Sequence, residues 1–382
     1  MGARKKVLMV FGTRPETIKM APVWMALRSQ PELFDVRTVV TAQHRHMLDK
    51  ALNDFDLTPD FDLDIMRDNQ DLFHISARSL EGMKKVLEEY EPECVLVQGD
   101  TTTTFIGALA AFYKRTSIGH VEAGLRTFNK YSPYPEEINR RLTGCMADLH
   151  FAPTERAREN LLAERVPEND IFVTGNTGID ALLWILANRP ANFDSVLSGV
   201  AQQAIGGRFI LVTTHRRESF GAPLAESLGA IAEIAARFPE VSIIFPVHPN
   251  PNVTQVAHQL LAGKPNIHLV EPLDYVNFSH LMNRAEIILT DSGGVQEEAP
   301  SLAKPVLVMR ETTERPEGVE AGVARLVGTS KTKIITEVSR LLTDPAYRAG
   351  MTAHANPYGD GKSAARIAEL LYDRLNATRS EL

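Results

Sequence analysis

Hydrophobic and polar positions alternate along this chain in blocks that predict a parallel α/β fold. Short apolar runs bounded by glycine or polar residues predict strands, and longer segments with apolar residues every three or four positions predict helices. The predicted strands are residues 7–11, 36–41, 94–98, 117–121, 149–152, 209–213, 242–247, 267–270, 287–290 and 306–309. The predicted helices include residues 17–28, 72–89, 104–114, 155–163, 224–237, 253–261 and 363–375. Such alternation is typical of doubly wound sheets.

The two halves of this pattern resemble each other. Each half opens with a strand that ends in an arginine-containing loop, and a later strand in each half ends in an aspartate, Asp100 or Asp291, followed by a hydroxyl residue. Because 382 residues exceed the usual size of one hydrophobic core, we expect two domains. We predict Rossmann-like, doubly wound domains over residues 1–175 and 176–363 that face a central cleft. A C-terminal helix within 364–382 either stays with its own half or packs back on the first domain.

The strand over residues 287–290 leads into a turn that is typical of phosphate binding. Gly293 and Gly294 let the backbone approach a ligand closely, and the amides that open the following helix have no partner within it. Glu298, one turn later, is placed to accept hydrogen bonds from ribose hydroxyls. The same pattern also fits an ordinary strand-to-helix turn. Polar loops also follow the other predicted strands, and they favour the functional interpretation, in which this segment forms half of a nucleotide diphosphate site.

Three carboxylates in the first half lie where a cleft would collect them. Asp100 and Glu122 each follow a predicted strand, and Glu136 lies in the first turn of a helix that we expect to begin at Pro135. Crowding raises the pKa of at least one such carboxyl group, which suits a reaction that removes a proton and returns one. We expect Arg126 to balance the charge of Glu122.

The helix that begins near Pro135 has two glutamates that each precede an arginine by four residues. Pairs at this spacing, Glu136 with Arg140 and Glu137 with Arg141, stabilise a helix by about 0.5 kcal/mol each without any functional role. Adjacent helical residues lie about 100° apart, so one pair is expected to face the cleft and the other to face water. The sequence does not choose between them.

Composition and charge narrow the classes of function. A net charge of -7 argues against a nucleic acid or an anionic membrane as partner, because their binding depends on clustered lysine and arginine. The apolar run after the basic start is too short for a signal peptide or membrane span, and the two cysteines lack metal-site spacing, so a cytoplasmic protein is expected. Neither a dinucleotide-binding glycine motif nor a P-loop motif occurs, and no metal site is predicted.

Taken together, the sequences of these polar loops resemble those of the non-hydrolysing UDP-N-acetylglucosamine 2-epimerases. The resemblance extends over nearly the whole length, and the order of the motifs is more specific than any one of them. The motifs are FGTRPE (11–16), GDTTTT (99–104), HVEAGLR (120–126), PEEINR (135–140), HRRE (215–218), DSGGVQEE (291–298) and TERPE (313–317).

This resemblance implies a glycosyltransferase-B-like fold, a homodimer, and no nicotinamide or metal cofactor. It further implies that UDP-N-acetylglucosamine and UDP-N-acetylmannosamine are interconverted, through loss of UDP to a 2-acetamidoglucal and its re-addition, for surface polysaccharide synthesis. The UDP-binding residues implied are Arg14, His215, Phe278, Ser292, Gly293, Gly294 and Glu298. The catalytic residues implied are Lys19, Asp100, Glu122, Glu136, Arg140 and His215.

In activator-dependent members of the family, a second substrate molecule binds as an activator. The activator residues implied here are Gln43, His44, His46, Arg216 and His248. This chain has His46 and Asn69 where such members have a glutamine and an arginine, a departure that bears on activation by substrate.

Two other functions fit parts of the same pattern. A hydrolysing relative would release UDP and free N-acetylmannosamine, because water intercepts the glucal. A non-catalytic nucleotide-sugar sensor would keep the UDP-binding turn but would have no need of Asp100, Glu122 and Glu136. The presence of all three carboxylates favours an enzyme over the sensor.

Overall fold

The computed structural model describes residues 4–41, 45–67, 70–197 and 199–377, which form two compact units. The first unit is built from the chain up to Trp184 and from Gly359 onward, and the second is Ile185–Tyr358. The division falls within the helix Thr177–Asn188. The boundary predicted at residue 175 lies shortly before that helix.

The first unit contains a parallel sheet with helices between its strands. Its strands are β1 (Lys5–Phe11), β2 (Phe34–Val40), β3 (Phe61–Asp62), β4 (Cys94–Gln98), β5 (Ser117–Val121), β6 (Leu149–Ala152) and β7 (Ile171–Val173). Its helices up to the division are α1 (Arg14–Arg28), α2 (Arg45–Asp54), α3 (Leu72–Tyr90), α4 (Thr102–Tyr113), α5 (Glu136–Met146), α6 (Glu155–Ala163) and α7 (Thr177–Asn188), with a 3-10 turn at Glu168–Asp170.

The second unit repeats this design. Its helices are α8 (Phe193–Val196), α9 (Val200–Ala204), α10 (Ala222–Arg237), α11 (Pro251–Leu261), α12 (Tyr275–Arg284), α13 (Gly293–Glu298), α14 (Pro316–Glu320), α15 (Lys331–Thr343) and α16 (Pro345–Thr352). Its strands are β8 (Phe209–Thr213), β9 (Ser242–Pro246), β10 (Ile267–Val270), β11 (Ile287–Thr290), β12 (Val306–Val308) and β13 (Ala324–Leu326). The 3-10 turns are Arg217–Ser219 and Ala299–Leu302, and α17 (Ser363–Ala377) returns to the first unit.

Strand order explains where each unit can bind a ligand. The sheets run β3-β2-β1-β4-β5-β6-β7 and β10-β9-β8-β11-β12-β13, with parallel pairing throughout. Winding reverses between β1 and β4 in the first sheet and between β8 and β11 in the second. At such a point the connections leave toward opposite faces of the sheet and open a crevice at the carboxyl ends of the strands.

The central strands are buried on both faces, which is why they read as continuous apolar runs rather than alternating ones. In β1, residues 7–11 are fully buried, and Ile287, Ile288 and Leu289 of β11 are equally inaccessible. Helices cover the second sheet through apolar side chains such as Leu228 and Ile334. The polar residues that follow these strands therefore start from a rigid base.

Helix α17 packs on the first unit. The buried Lys5 side chain donates a hydrogen bond to the carbonyl of Leu375 at 2.7 Å. The amide of Ala364 donates to Asp180 Oδ1 at 2.9 Å, which places a carboxylate from α7 at the start of α17. Of the two alternatives left open by the sequence, the chain therefore adopts the return to the first domain.

The predicted fold class, an α/β protein with two doubly wound parallel sheets, is confirmed. Each predicted strand is present, with small differences at its ends. The strands β3, β7 and β13 were not predicted, because two or three residues are too few for a readable hydrophobic period. Pro135 is the N-cap residue that precedes α5, whereas it was predicted to be the first residue of that helix. Within the described segments, none of the helices is long and apolar enough to cross a membrane.

The turn after β5 yields a test of this packing. Gly124 has a φ of 91°, and a Cβ added there would lie 2.2 Å from the carbonyl oxygen of Ala157. We expect Gly124→Ala to lower the free energy of unfolding by about 3 kcal/mol, through backbone strain and overpacking. Thermal unfolding followed by circular dichroism measures the effect.

The control is Gly229→Ala in α10, where an added Cβ meets no atom within 4 Å. Because alanine favours a helix over glycine by about 1 kcal/mol, this variant should unfold no earlier than the wild type. Equal unfolding midpoints for Gly124→Ala and the wild type would contradict the close approach of Gly124 to α6.

Candidate functional site

Glu122 is fixed at the end of β5 by two side chains. Its backbone adopts a φ of 63°, a conformation that non-glycine residues rarely take. Lys19 on α1 forms an ion pair with Oε1, and the side-chain amide of Gln98 donates to Oε2. The carboxylate is only 7% exposed. It is therefore held in one orientation next to the end of β4, together with the predicted Lys19.

The prediction that Arg126 balances Glu122 is wrong. Arg126 forms a two-point pair with Glu164, at 2.9 Å from Nε to Oε1 and 2.7 Å from Nη2 to Oε2. The hydrogen bond from Arg126 lowers the pKa of Glu164 despite its partial burial. Positive φ angles at Glu122 and Gly124 turn the backbone between the two residues, so their separation in sequence does not bring their side chains together.

Asp100, at the end of β4, is positioned by helix α5. Arg140 Nη2 lies 2.9 Å from Asp100 Oδ2, and the Asn139 side chain donates to the Asp100 carbonyl at 3.0 Å. β4 and β5 are paired neighbours, and a Cβ on Gly99 would lie 3.6 Å from Glu122 Oε2. The structure thus brings the loops that carry Asp100 and Glu122 together and pairs Asp100 with Arg140.

The two glutamates of α5 have different roles. Glu137 is fully buried, accepts hydrogen bonds from the amides of Thr127 and Phe128 at 3.0 Å each, and lies 3.7 Å from Arg140. Glu136 is half-buried, and its carboxylate has no hydrogen bond or ion pair with the described residues. Glu137 therefore supports the loop, and Glu136 is the glutamate available for chemistry.

Neither i,i+4 pair considered for α5 is present in this described helix. Arg140 pairs with Asp100 and Glu137, and Arg141 lies 3.5 Å from Glu164. Ion pairs with residues outside the helix are favoured over exposed pairs along it, because water and salt screen partly buried charges less.

Glu16 was not predicted as a site residue, although it anchors the loops at the switch point. Its Oε2 accepts hydrogen bonds from the amides of Gly12 and Thr13 at 2.9 and 2.8 Å. Its Oε1 accepts from the hydroxyls of Thr101 and Thr104 at 2.5 and 3.0 Å. Burial raises the pKa of Glu16, and these hydrogen bonds offset only part of that effect. The capping-box spacing of Thr13 and Glu16 was the available signal.

Asp291 organises the corresponding point of the second sheet. It is 1% exposed and accepts hydrogen bonds from the amides of His215 and Arg216 at 2.9 and 3.0 Å and from the Thr214 hydroxyl at 2.8 Å. His215 Nδ1 lies 3.0 Å from Asp291 Oδ1. Burial by itself would raise the pKa of Asp291, but the His215 contacts and the backbone amides lower it overall.

This arrangement orients the imidazole of His215. Because Nδ1 faces Asp291, Nε2 is the nitrogen left to face a ligand. The ring stacks on His248, with centroids 6.0 Å apart and planes inclined by 27°. Partial burial and the neighbouring His215 lower the pKa of His248, although most of this side chain is exposed.

The glycine turn after β11 has the predicted form. Ser292 caps α13 through its hydroxyl, 3.5 Å from the amide of Val295, and Gly293 is buried while Gly294 is exposed. The Tyr275 hydroxyl donates to Glu298 Oε1 at 3.1 Å. Tyr275 belongs to α12, the helix that also carries the half-buried Phe278.

Fewer contacts are described for the remaining predicted site residues. Arg14 is the exposed first residue of α1. Arg216 Nη2 lies 3.6 Å from the position of a Cβ on Gly293, and its Nε is buried with no hydrogen-bond partner in the described part of the chain. Of the proposed activator residues, Gln43 and His44 lie outside the described residues, as do Asn69 and the side chain of His46.

The two units thus offer complementary chemistry. In the first, Lys19 pairs with Glu122 and Arg140 pairs with Asp100. Carboxylates held in this way suit proton transfer beside a developing positive charge. The second has a glycine turn, a fixed imidazole and guanidinium groups, which suit a diphosphate. Among the described residues, no group of His, Cys, Asp and Glu side chains has the arrangement of a metal site.

Comparison with known proteins gives a consistent result. The sequence model of a family described as UDP-N-acetylglucosamine 2-epimerase matches residues 25–372. Curated UDP-N-acetylglucosamine 2-epimerases of Yersinia pestis and Escherichia coli (strain K12) are 56% and 54% identical, and each alignment covers 96% of this chain and 98% of the relative. The crystal structure of UDP-GlcNAc 2-epimerase from Neisseria meningitidis bound to UDP-GlcNAc has a TM-score of 0.85 at 46% identity, covering 96% of this chain and 100% of that chain.

The buried Glu16 predicts a pH dependence of stability. A raised pKa means that the folded chain keeps the Glu16 proton at pH values where the unfolded chain has lost it, so stability falls as pH rises from the ordinary value of 4.5 through the folded pKa. Glu16→Gln removes this loss. We therefore expect the stability of the wild type relative to Glu16→Gln to decrease as the pH rises above 4.5.

Urea denaturation of both proteins at several pH values measures this difference. Glu159→Gln, an exposed substitution on α6, is the control and should show no such trend. If the stability of the wild type relative to Glu16→Gln instead increased with pH, burial would not be the dominant effect on Glu16.

Proposed function

Because the chain belongs to the UDP-N-acetylglucosamine 2-epimerase family, as its motifs predicted, we propose that it inverts C2 of UDP-N-acetylglucosamine to give UDP-N-acetylmannosamine. The observation that carries this proposal is the pair of carboxylates, Asp100 and Glu122, that two cations hold at the ends of the neighbouring strands β4 and β5. Asp100, Glu122 and Glu136 belong to the family motifs, and two of them are held in place by Arg140 and Lys19.

The chemistry of the sugar explains why several carboxylates are needed. The C2 hydrogen is not next to a carbonyl group, so simple deprotonation is unfavourable. In the proposed reaction the C1–O bond breaks with its electron pair going to UDP, and positive charge develops at C1. A carboxylate then removes the C2 proton to give the 2-acetamidoglucal. Protonation on the other face and re-addition of UDP complete the inversion.

The second unit is proposed to bind UDP throughout this sequence. Gly293 and Gly294 donate their backbone amides to the diphosphate. Ser292 contacts it through its side chain, because the Ser292 amide donates to the Thr290 hydroxyl. Asp291 engages Nδ1 of His215, so Nε2 is the nitrogen that faces the phosphate. Glu298 accepts hydrogen bonds from the ribose, and Phe278 packs near the base. Fixed donors of this kind stabilise the departing phosphate without reorganisation.

The first unit is proposed to supply the groups that move the proton. Glu122 is balanced by Lys19 and Asp100 by Arg140, so both can stabilise positive charge at C1. Glu136 has no competing partner among the described residues and lies one turn before Arg140 on α5. This difference in environment supports separate roles for the three carboxylates in proton removal and return.

We also propose that the enzyme acts as a homodimer and supplies N-acetylmannosamine units for surface polysaccharides. The exposed aromatic residues Phe112 and Tyr113 at the end of α4, 56% and 66% accessible, support a protein contact on the first unit. Exposed aromatic side chains are enriched where proteins associate.

Isotope incorporation tests the proposed reaction. The protein is incubated with UDP-N-acetylglucosamine in deuterated water and followed by proton NMR. We expect UDP-N-acetylmannosamine with deuterium at C2, because the proton is exchanged on a carboxylate. Free N-acetylmannosamine would instead indicate the hydrolysing reaction, and an unchanged spectrum would reject both.

Two substitutions separate UDP binding from proton transfer. Glu298→Ala should weaken UDP binding about tenfold or more, because hydrogen bonds from the ribose to a charged acceptor are lost. Asp100→Asn should preserve UDP affinity and lower kcat at least about a hundredfold. Calorimetric titration with UDP and the NMR assay measure the two effects.

The control is Glu226→Ala, which removes an exposed carboxylate from α10 and should change neither quantity. Unaltered UDP affinity in Glu298→Ala would remove the ribose assignment. Unaltered kcat in Asp100→Asn would remove Asp100 from the reaction.

A further inference from the structure

His120 is a buried histidine of β5 that contacts the turn carrying Asp100, and no role assigned above uses it. Its side chain is 1% exposed, and its Nε2 atom lies 2.7 Å from the carbonyl oxygen of Gly99. Gly99 directly precedes Asp100 at the end of β4 and is 21 positions away from His120, so this contact results from the pairing of β4 with β5. The ring therefore ties the Asp100 turn to the strand that leads into Glu122.

The surroundings of the His120 ring determine which nitrogen carries its proton. A carbonyl oxygen only accepts hydrogen bonds, so Nε2 must donate to Gly99. Among the described residues, the buried Nδ1 has no hydrogen-bond partner, which fits an unprotonated nitrogen better than a second donor. Burial, with smaller contributions from nearby histidine and arginine side chains, lowers the pKa of His120 to about 3, although the hydrogen bond to Gly99 opposes this shift. The imidazole is therefore a neutral donor at neutral pH.

Three hydrogen bonds hold the backbone of this turn. The Gly99 amide donates to the carbonyl of Val121 at 2.9 Å, and the Gly99 carbonyl accepts from His120. The Asp100 carbonyl accepts from the side chain of Asn139 at 3.0 Å. Gly99 has a φ of 73°, and glycine has the greatest backbone freedom, so the turn depends on such bonds for its shape. The bond from His120 acts on the peptide group that links Gly99 to Asp100, and so on the direction in which the Asp100 side chain leaves the backbone.

Two simpler roles for His120 predict different behaviour. As an acid or base it would exchange protons with the substrate, but its ring is buried and its Nε2 is engaged by a carbonyl group. As a core residue it would affect stability alone. Its neighbours in β5, Ile118 and Val121, are buried and apolar, and a polar ring among them is costly to desolvate. The location of its hydrogen bond, next to Asp100, therefore requires a separate reason.

We propose that His120 is a positioning residue for Asp100, which it keeps in a fixed place beside Glu122 by donating from Nε2 to the Gly99 carbonyl. This inference rests on the proposed function. The turn and Glu122 are close, since a Cβ on Gly99 would lie 3.6 Å from Glu122 Oε2. In this role His120 transfers no proton and does not touch the substrate. A misplacement of a reacting group by about 1 Å can lower a rate about a hundredfold, so loss of this hydrogen bond should reduce kcat.

Glutamine and asparagine substitutions test this role. The amide nitrogen of glutamine takes up nearly the position of an imidazole Nε2, whereas that of asparagine is one methylene group too short. His120→Gln should therefore keep most of the wild-type kcat, and His120→Asn and His120→Leu should lower kcat at least about tenfold. The Kd for UDP should be unchanged in all three variants, because Gly293, Gly294 and Glu298 belong to the second unit. The NMR assay and calorimetric titration with UDP measure these quantities.

The matched control is His150→Leu. His150 is the partner of His120 on the neighbouring strand β6, is equally buried, and forms its hydrogen bond with the backbone of Ala147. Thermal unfolding should show that both leucine variants lose stability, whereas only His120→Leu should lose kcat. The comparison of glutamine with asparagine stands without the leucine variants, because both of these side chains are polar.

Two results would overturn the proposal. If His120→Gln lost as much activity as His120→Asn, the ring itself would be needed for the reaction. If His120→Asn kept the wild-type kcat, His120 would be a core residue only, and an active wild type would leave the proposed function intact. Wild-type protein that binds UDP but incorporates no deuterium at C2 would instead reject the epimerase reaction, and with it the role of His120.

Discussion

The reversal of strand winding within each parallel sheet is the constraint on which both sets of candidate residues depend. Between β1 and β4, and again between β8 and β11, consecutive connections leave toward opposite faces. The strands beneath are inaccessible to solvent, so the loops at their carboxyl ends start from fixed positions. Glu16 reaches Thr101 across the first reversal, and Asp291 comes within reach of His215 across the second.

Charged groups at these points are positioned mainly by other charged groups. Asp291 orients His215, Glu297 holds Arg315, and Arg140 lies between Asp100 and Glu137. The carboxylates of Asp291, Glu137 and Glu297 are the buried members of these pairs, and leaving a buried charge unpaired costs several kcal/mol, typically about 3 to 5. A negatively charged protein can in this way present fixed cations to an anionic ligand while keeping carboxylates for proton transfer.

Sequence patterns located most of the candidate residues but few of their partners. Asp100 and Glu122 were found because polar residues follow apolar strands, and the glycine turn was found because its spacing is local. Arg126 was assigned the wrong partner, since proximity along the chain is a poor guide once the backbone turns at Gly124. His120 lies 21 positions from Gly99 in the sequence, and its motif carried no sign of their hydrogen bond.

The sequence by itself determined the strands, the loops after them and the chemical groups those loops carry, because hydrophobic period and turn residues act over a few positions. It also determined the family, because the family's motifs occur in their order over nearly the whole chain. Only the tertiary structure decided which charges meet. Lys19 and Glu122, or Arg140 and Asp100, are joined across dozens of residues, and such distances are set when the sheets assemble and desolvate the groups between them.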